Sequence, residues 1–227
     1  MHEVPAVPLL PTHTLACEDR DFVAWHQGCQ WCAVWVVELD LPALHARVDL
    51  ARDALAPWLL PGYARQPHIT VAYRGLMDTG EGHPAAEYGC ADLQRDVAQL
   101  QQLPIDEEVA VQVQGVGSFD TVPYLALSDA GPLQQWHAAL APASPWPGWH
   151  YVPHVTLGHY AHTTALAPLL HRLTAAVGHA PALRCAVRTL SLVRYRSACI
   201  AGPLTVDGRF DLRTRCYTPQ PGALLRP

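Results

Sequence analysis

The order strand, helix, strand occurs twice in this chain, and both times the second strand carries the same five-residue pattern. CQWCAVWVVELD (29–40), rich in Val and Trp and closed by Asp40, Leu41 and Pro42, reads as a buried strand. In LPALHARVDLARDALAPWLL (41–60), Leu44, Val48 and Leu55 fall near helical spacing, and Pro61 and Gly62 stop the helix. RQPHITVAYRG (65–75) reads as the next strand. After residue 120 the series returns, with PYLALSD (123–129) as strand, PLQQWHAALAP (132–142) as helix and YVPHVTLGHY (151–160) as strand. Each copy continues with a helix (90–102, then 163–177) and a strand (108–116, then 183–195), and a last strand near 203–213 closes the chain. Such a duplication predicts an α+β fold of two related lobes, each a small sheet backed by helices, with the site at their seam. Residues 29–227 form one bilobal domain in this reading, and residues 1–28, Pro-rich and mixed, form an extension laid over it, with Phe22 and Trp25 packing near its WHQG segment.

The composition suits that reading. Half of the 227 residues are hydrophobic, enough for a sizeable core. No apolar run reaches the length of a membrane span, and the amino terminus lacks the basic-then-apolar pattern of a secretory signal, which predicts a cytoplasmic protein with no membrane partner. The seven cysteines show no disulfide framework, and the Cys29, Cys32 pair, without a second such pair, reads as buried strand residues. All fifteen basic residues are Arg. Without Lys the sequence has no group for Schiff-base or P-loop lysine chemistry. Residues 1–129 hold 18 acids and 6 arginines, residues 130–227 only 2 acids and 9 arginines, so the carboxyl half is expected to attract anions.

A bare His-x-Thr says little, because thirteen His and thirteen Thr make a chance occurrence expected, and His162-Thr163-Thr164 supplies another. Pro-His-aliphatic-Thr-aliphatic occurring twice, as PHITV (67–71) and PHVTL (153–157), at the same place in both copies, is far more specific. Side chains alternate along a strand, so His68 and Thr70 share one face while Ile69 and Val71 turn toward a core; His154 and Thr156 repeat this against Val155 and Leu157. Lobes related by a pseudo-twofold axis bring both pairs to one cleft. Displacement at a phosphodiester needs opposed groups, one removing a proton from the nucleophile and one protonating the leaving oxygen, and imidazole does both near neutral pH. The threonine hydroxyls are placed to donate to the non-bridging phosphate oxygens. Trp35, Tyr73 and Tyr124 are candidates for stacking a base at the cleft wall, and Arg65 and Arg74 flank the first motif.

Two other readings stay open. His150, His154, His159 and His162 crowd one segment and suggest a metal site, although strand alternation separates His159 from the others and no acid occurs from residue 130 to 206. A nucleotide- or RNA-end-binding module with little catalysis is the other.

Residues from about Trp31 to Leu212 resemble the two-histidine (2H) phosphoesterases and, within them, the bacterial 2′-5′ RNA ligases or RNA 2′,3′-cyclic phosphodiesterases. Besides the paired motifs, GVGSF (115–119) is similar to the family's glycine-containing turn after the first lobe, and LSLVRYRS (190–197) to its penultimate strand. The resemblance implies a bilobal fold with two antiparallel sheets around a central cleft and helices outside. It implies opening of a 2′,3′-cyclic phosphate to a 2′-phosphate without metal or other cofactor, with His68 and His154 as acid and base and Thr70 and Thr156 holding the phosphate. The implied partner is an RNA end or small cyclic nucleotide, with no obligate protein partner. Where many members place a basic residue before the strand opening the second lobe, this chain has Thr121, Val122 and Pro123.

Overall fold

A computed structural model describes residues 11–80, 82–104, 109–141 and 150–227. The elements run α1 (Val23–His26), β1 (Trp31–Glu38), α2 (Pro42–Leu55), β2 (His68–Leu76), α3 (Cys90–Gln102), β3 (Val109–Ser118), β4 (Pro123–Asp129), α4 (Leu133–Leu140), β5 (His154–Thr156), α5 (Leu166–Leu173), β6 (Leu183–Val187), β7 (Thr189–Arg196), β8 (Thr205–Asp211) and β9 (Cys216–Pro219). The strands lie in the order β6-β3-β4-β5-β2-β1-β7-β8-β9, every pair antiparallel. The fold is α+β as the periodicities predict. The two expected sheets meet edge to edge: the one residue pair Ile69 with Val155, between β2 and β5, joins them into a single nine-stranded sheet.

The repeats do not stay apart. β3, the last strand of the first copy, pairs with β4 of the second, and β7 of the second pairs with β1 of the first. Each half of the sheet is therefore completed by the other copy, giving it the third strand that a stable sheet needs.

One face of the sheet carries the helices. Trp35 and Val37 of β1, Ile69 and Val71 of β2, Val111 of β3, Leu125 of β4 and Val155 of β5 pack there with Leu44, Val48, Leu100, Trp136 and Leu169 of the helices in one core. The opposite face holds a smaller apolar cluster, Cys32, Val34, Val36, Leu76, Val193 and Tyr195. β1 is thus covered on both sides, which is why it reads as an unbroken apolar run.

Three expected elements differ for local reasons. The helix expected over 41–60 ends as an α-helix at Leu55 and tightens into a 3-10 turn at Ala56–Trp58, because Pro57 has no N–H to continue the α ladder and Ala56 N–H already turns to Asp53 C=O. The strand expected over 151–160 shrinks to His154–Thr156. Pro153 cannot donate on one side, and on the other the chain leaves the sheet to pair with another segment, where Leu60 N–H donates to His159 C=O (2.8 Å) and Ala161 N–H to Trp58 C=O (2.8 Å). The strand expected over 183–195 splits at Arg188, β6 staying at the edge beside β3 while β7 crosses to β1.

Residues 12–17 run beside the segment after the second motif. Thr14 is fully buried there, its Oγ1 donating to His162 C=O (2.7 Å), and Leu15 and Cys17 N–H donate to Asp120 and Tyr160 C=O. In α1 the side chain that packs is His26, while Trp25 is 39% exposed. All seven cysteines are free thiols, with Cys29 and Cys32 buried. No helix among the described residues is long and apolar enough to cross a membrane.

Candidate active site

The pairing of Ile69 with Val155 sets the register of the two motif strands. One residue further in each direction of an antiparallel pair, His68 comes level with Thr156 and Thr70 with His154. Neighbouring strands agree, since Thr156 pairs with Tyr124 and His154 with Ala126, while His68 pairs with Glu38 and Thr70 with Val36. Ile69 and Val155 are buried toward the helices, so the two histidines and two threonines share the opposite face, each histidine facing the other motif's threonine.

Both imidazoles are held alike. Nδ1–H of His68 donates to Gln66 C=O and that of His154 to Val152 C=O, each at 2.7 Å. A carbonyl oxygen only accepts, so Nδ1 carries the proton and Nε2 is left for a ligand. Gln66 is itself fixed, its side-chain amide donating to Leu204 C=O (3.1 Å) and accepting from Leu204 N–H (3.0 Å). A cavity of about 240 Å³ opens beside His68, walled by Glu38, Asp40, Gln66, Val193 and Leu204. Glu38 is occupied by Ser191 and by Arg209, whose Nε lies 3.0 Å away.

The surroundings of the two histidines differ. His154 lies among aromatic rings, 5.0 Å from Tyr124 and edge-on to Phe119 at 5.1 Å between centroids. Gly117 makes room for this, because a Cβ there would come within 2.5 Å of the Tyr124 ring. His68 is only 6% exposed. Burial, with the positive charge of Arg65 and of His154, holds its pKa down at about 4 against the pull of the Gln66 hydrogen bond. Burial also lowers His154, with the Val152 hydrogen bond opposing. His159 is held at about 4 by burial and then by Arg65.

Of the stacking candidates, Tyr124 stands beside His154 and Tyr73 is 44% exposed on the motif face. Plain alternation from His68 would turn Tyr73 away. A bulge intervenes: Thr70 pairs with Val36 and Ala72 with Trp35, so both Val71 and Ala72 enter the core and Tyr73 returns to the face of His68 opposite Val34. Trp35 is a correction. It is fully buried on the helix side, its Nε1–H donating to Asp96 (2.8 Å), so it cannot stack a base. Arg74 is likewise structural, paired with Asp96 at 3.0 Å. The four histidines of 150–162 do not assemble, and among the described residues no three His, Cys, Asp or Glu side chains stand together as a metal site. Phe119 was missed as a site residue although it ends GVGSF; its ring meets His154 only through the β3–β4 hairpin.

An antiparallel α+β fold in which two His-x-Thr strands meet edge to edge defines a two-histidine phosphoesterase. A family model, the 2′-5′ RNA ligase superfamily, matches residues 36–198. The chain belongs to that superfamily. Among solved structures it is distantly similar to E. coli LigT in complex with ATP (16% identity, TM-score 0.49, covering 81% of this chain and 98% of that one). It is similar also to a protein solved as a phosphoesterase (15%, 0.49, 81% and 98%) and to Kluyveromyces marxianus Usb1 (13%, 0.42, 77% and 96%). No curated protein sequence matches it.

Proposed function

We propose that the cleft hydrolyses a 2′,3′-cyclic phosphate, at an RNA end or on a small nucleotide, to a 2′-phosphate without a metal. The observation that supports the reading is the crossed register, which brings the histidine of each motif level with the threonine of the other on one face of the sheet. His68, the more strongly depressed and lying beside a cation, is the neutral base. Its Nε2 takes a proton from water as the water oxygen bonds to phosphorus. His154, the less depressed of the two, takes up a proton as the phosphate anion binds beside it and is the acid, its Nε2–H protonating the 3′-oxygen as the bond from that oxygen to phosphorus breaks. Thr70 and Thr156 donate to the non-bridging oxygens as charge builds there. Tyr124 and the exposed ring of Tyr73 are the stacking surfaces for a base.

The test is a product assay on 2′,3′-cyclic and 3′,5′-linked substrates, with and without chelator. The expected product is the 2′-phosphate, formed equally in chelator, and His68→Ala or His154→Ala lowers turnover at least ~10²-fold in a folded protein. Saturable binding with no product would favour the binding module, and loss of rate in chelator a metal-dependent enzyme.

A further inference from the structure

Two carboxyl-half arginines turn to the amino half, Arg209 to Glu38 and Arg215 to Leu100 C=O near the end of α3. Arg194 pairs with Asp207, and Arg74 of the first motif strand with Asp96. Arg52 donates from Nε to Leu157 C=O at 2.9 Å. Arg65, three residues before His68, has a buried Nε without a hydrogen-bond partner, as Arg74 and Arg194 do, but unlike those two it meets no carboxylate among the described residues. Its guanidinium lies 4.1 Å from the ring centre of Tyr195, a member of the apolar cluster on the motif face of the sheet. A second orphan adjoins it: His159 Nδ1 is also buried and unpartnered, and feels the charge of Arg65. Leaving a buried donor unmet costs free energy, and a bound water, ion or ligand that completes it is one way a native fold keeps such a group.

The cleft also needs such a group. With both imidazoles neutral in the free protein, two histidines and two threonines provide no fixed positive charge for a phosphodiester, whose negative charge concentrates on the non-bridging oxygens during attack. We propose that Arg65 is the cationic phosphate-binding residue of this site, its guanidinium, steadied on the Tyr195 ring, donating to a non-bridging oxygen of a phosphate held between the two His-x-Thr strands. This rests on reading the cleft as a phosphate site. It also moves the anion-attracting role from the basic carboxyl half to one arginine of the acidic half.

The test uses inorganic phosphate and the whole protein, following the His68 and His154 imidazoles and the Arg65 Nε–H by NMR. In the native protein phosphate is expected to shift all three together. Arg65→Gln should weaken phosphate binding at least ~10-fold and raise the pKa of His68 by removing a neighbouring cation, with Arg65→Lys intermediate and Arg95→Gln, on exposed α3 surface, unchanged. Phosphate bound as tightly by folded Arg65→Gln as by the native protein overturns the assignment. If that variant does not fold, the native titration decides: imidazoles that respond while Arg65 Nε–H does not also overturn it. Imidazoles that ignore phosphate would bring down the phosphate reading of the cleft, a separate failure.

Discussion

Each motif histidine commits its Nδ1 proton to the carbonyl two residues earlier, so ring orientation is set by the strand itself and by whatever fixes that carbonyl. For His68 this is Gln66, clamped to Leu204; for His154 orientation comes also from Tyr124 and Phe119. Tyr124 in turn occupies the space that Gly117 leaves empty. Gly117→Val is therefore expected to push the Tyr124 ring from His154 and lower kcat/KM by about tenfold, the scale on which lost positioning tells on rate. The protein should unfold at nearly the same denaturant concentration. Steady-state kinetics beside a urea curve checks both, and a rate unchanged in the variant would show that Tyr124 has no part in placing the acid.

The elements are locked beneath the site by one buried carboxylate. Asp96 of α3 accepts from Trp35 of β1 (2.8 Å), from Tyr88 (2.8 Å) and from Arg74 of β2 (3.0 Å), so a helix and two strands close on a single side chain. Removing one partner of such a pair leaves the other charge buried and unmet. Asp96→Ala should destabilise the fold by about 3–5 kcal/mol, read as a lower urea midpoint, with Asp96→Asn losing less because it still accepts a hydrogen bond. Trp35 and Arg74 belong to this network, and sequence could not assign them. An apolar run buried on both faces has no polar alternation to mark which side is which, and an arginine near a strand end looks the same whether it meets solvent or a buried acid. Tyr73 reached the motif face only through a bulge, which sequence periodicity does not reveal.

Across the whole molecule the buried histidines set the response to acid. His68 and His159 are held at about 4 in the fold, against 6.5 in the unfolded chain, and His154 is lowered as well. The unfolded state binds more protons in that window, so stability rises with pH through it and is lost as pH falls from about 6.5 toward 4. Asp96, raised by burial, contributes with the opposite sign. Urea unfolding at pH 7 and pH 5 should show the lower stability at pH 5, and His159→Gln should narrow the difference; equal stabilities at the two pH values would contradict the buried, neutral state of these imidazoles.

The sequence by itself determined the repeat, the α+β class, the positions of most strands and helices, and the four residues of the two His-x-Thr pairs. All of these are written in short-range periodicity and in one pattern used twice, which needs no knowledge of which segment lies beside which. Only the tertiary structure decided that the last strand of each repeat joins the other repeat, that Trp35 faces the helices, and that Arg65 comes near enough to His68 and His159 for its charge to act on both. Those outcomes depend on pairings such as Val36 with Ser191, far apart in the chain, and on the contact of Phe119, at the tip of the β3–β4 hairpin, with the distant His154, where register and burial choose among partners that local sequence leaves equal.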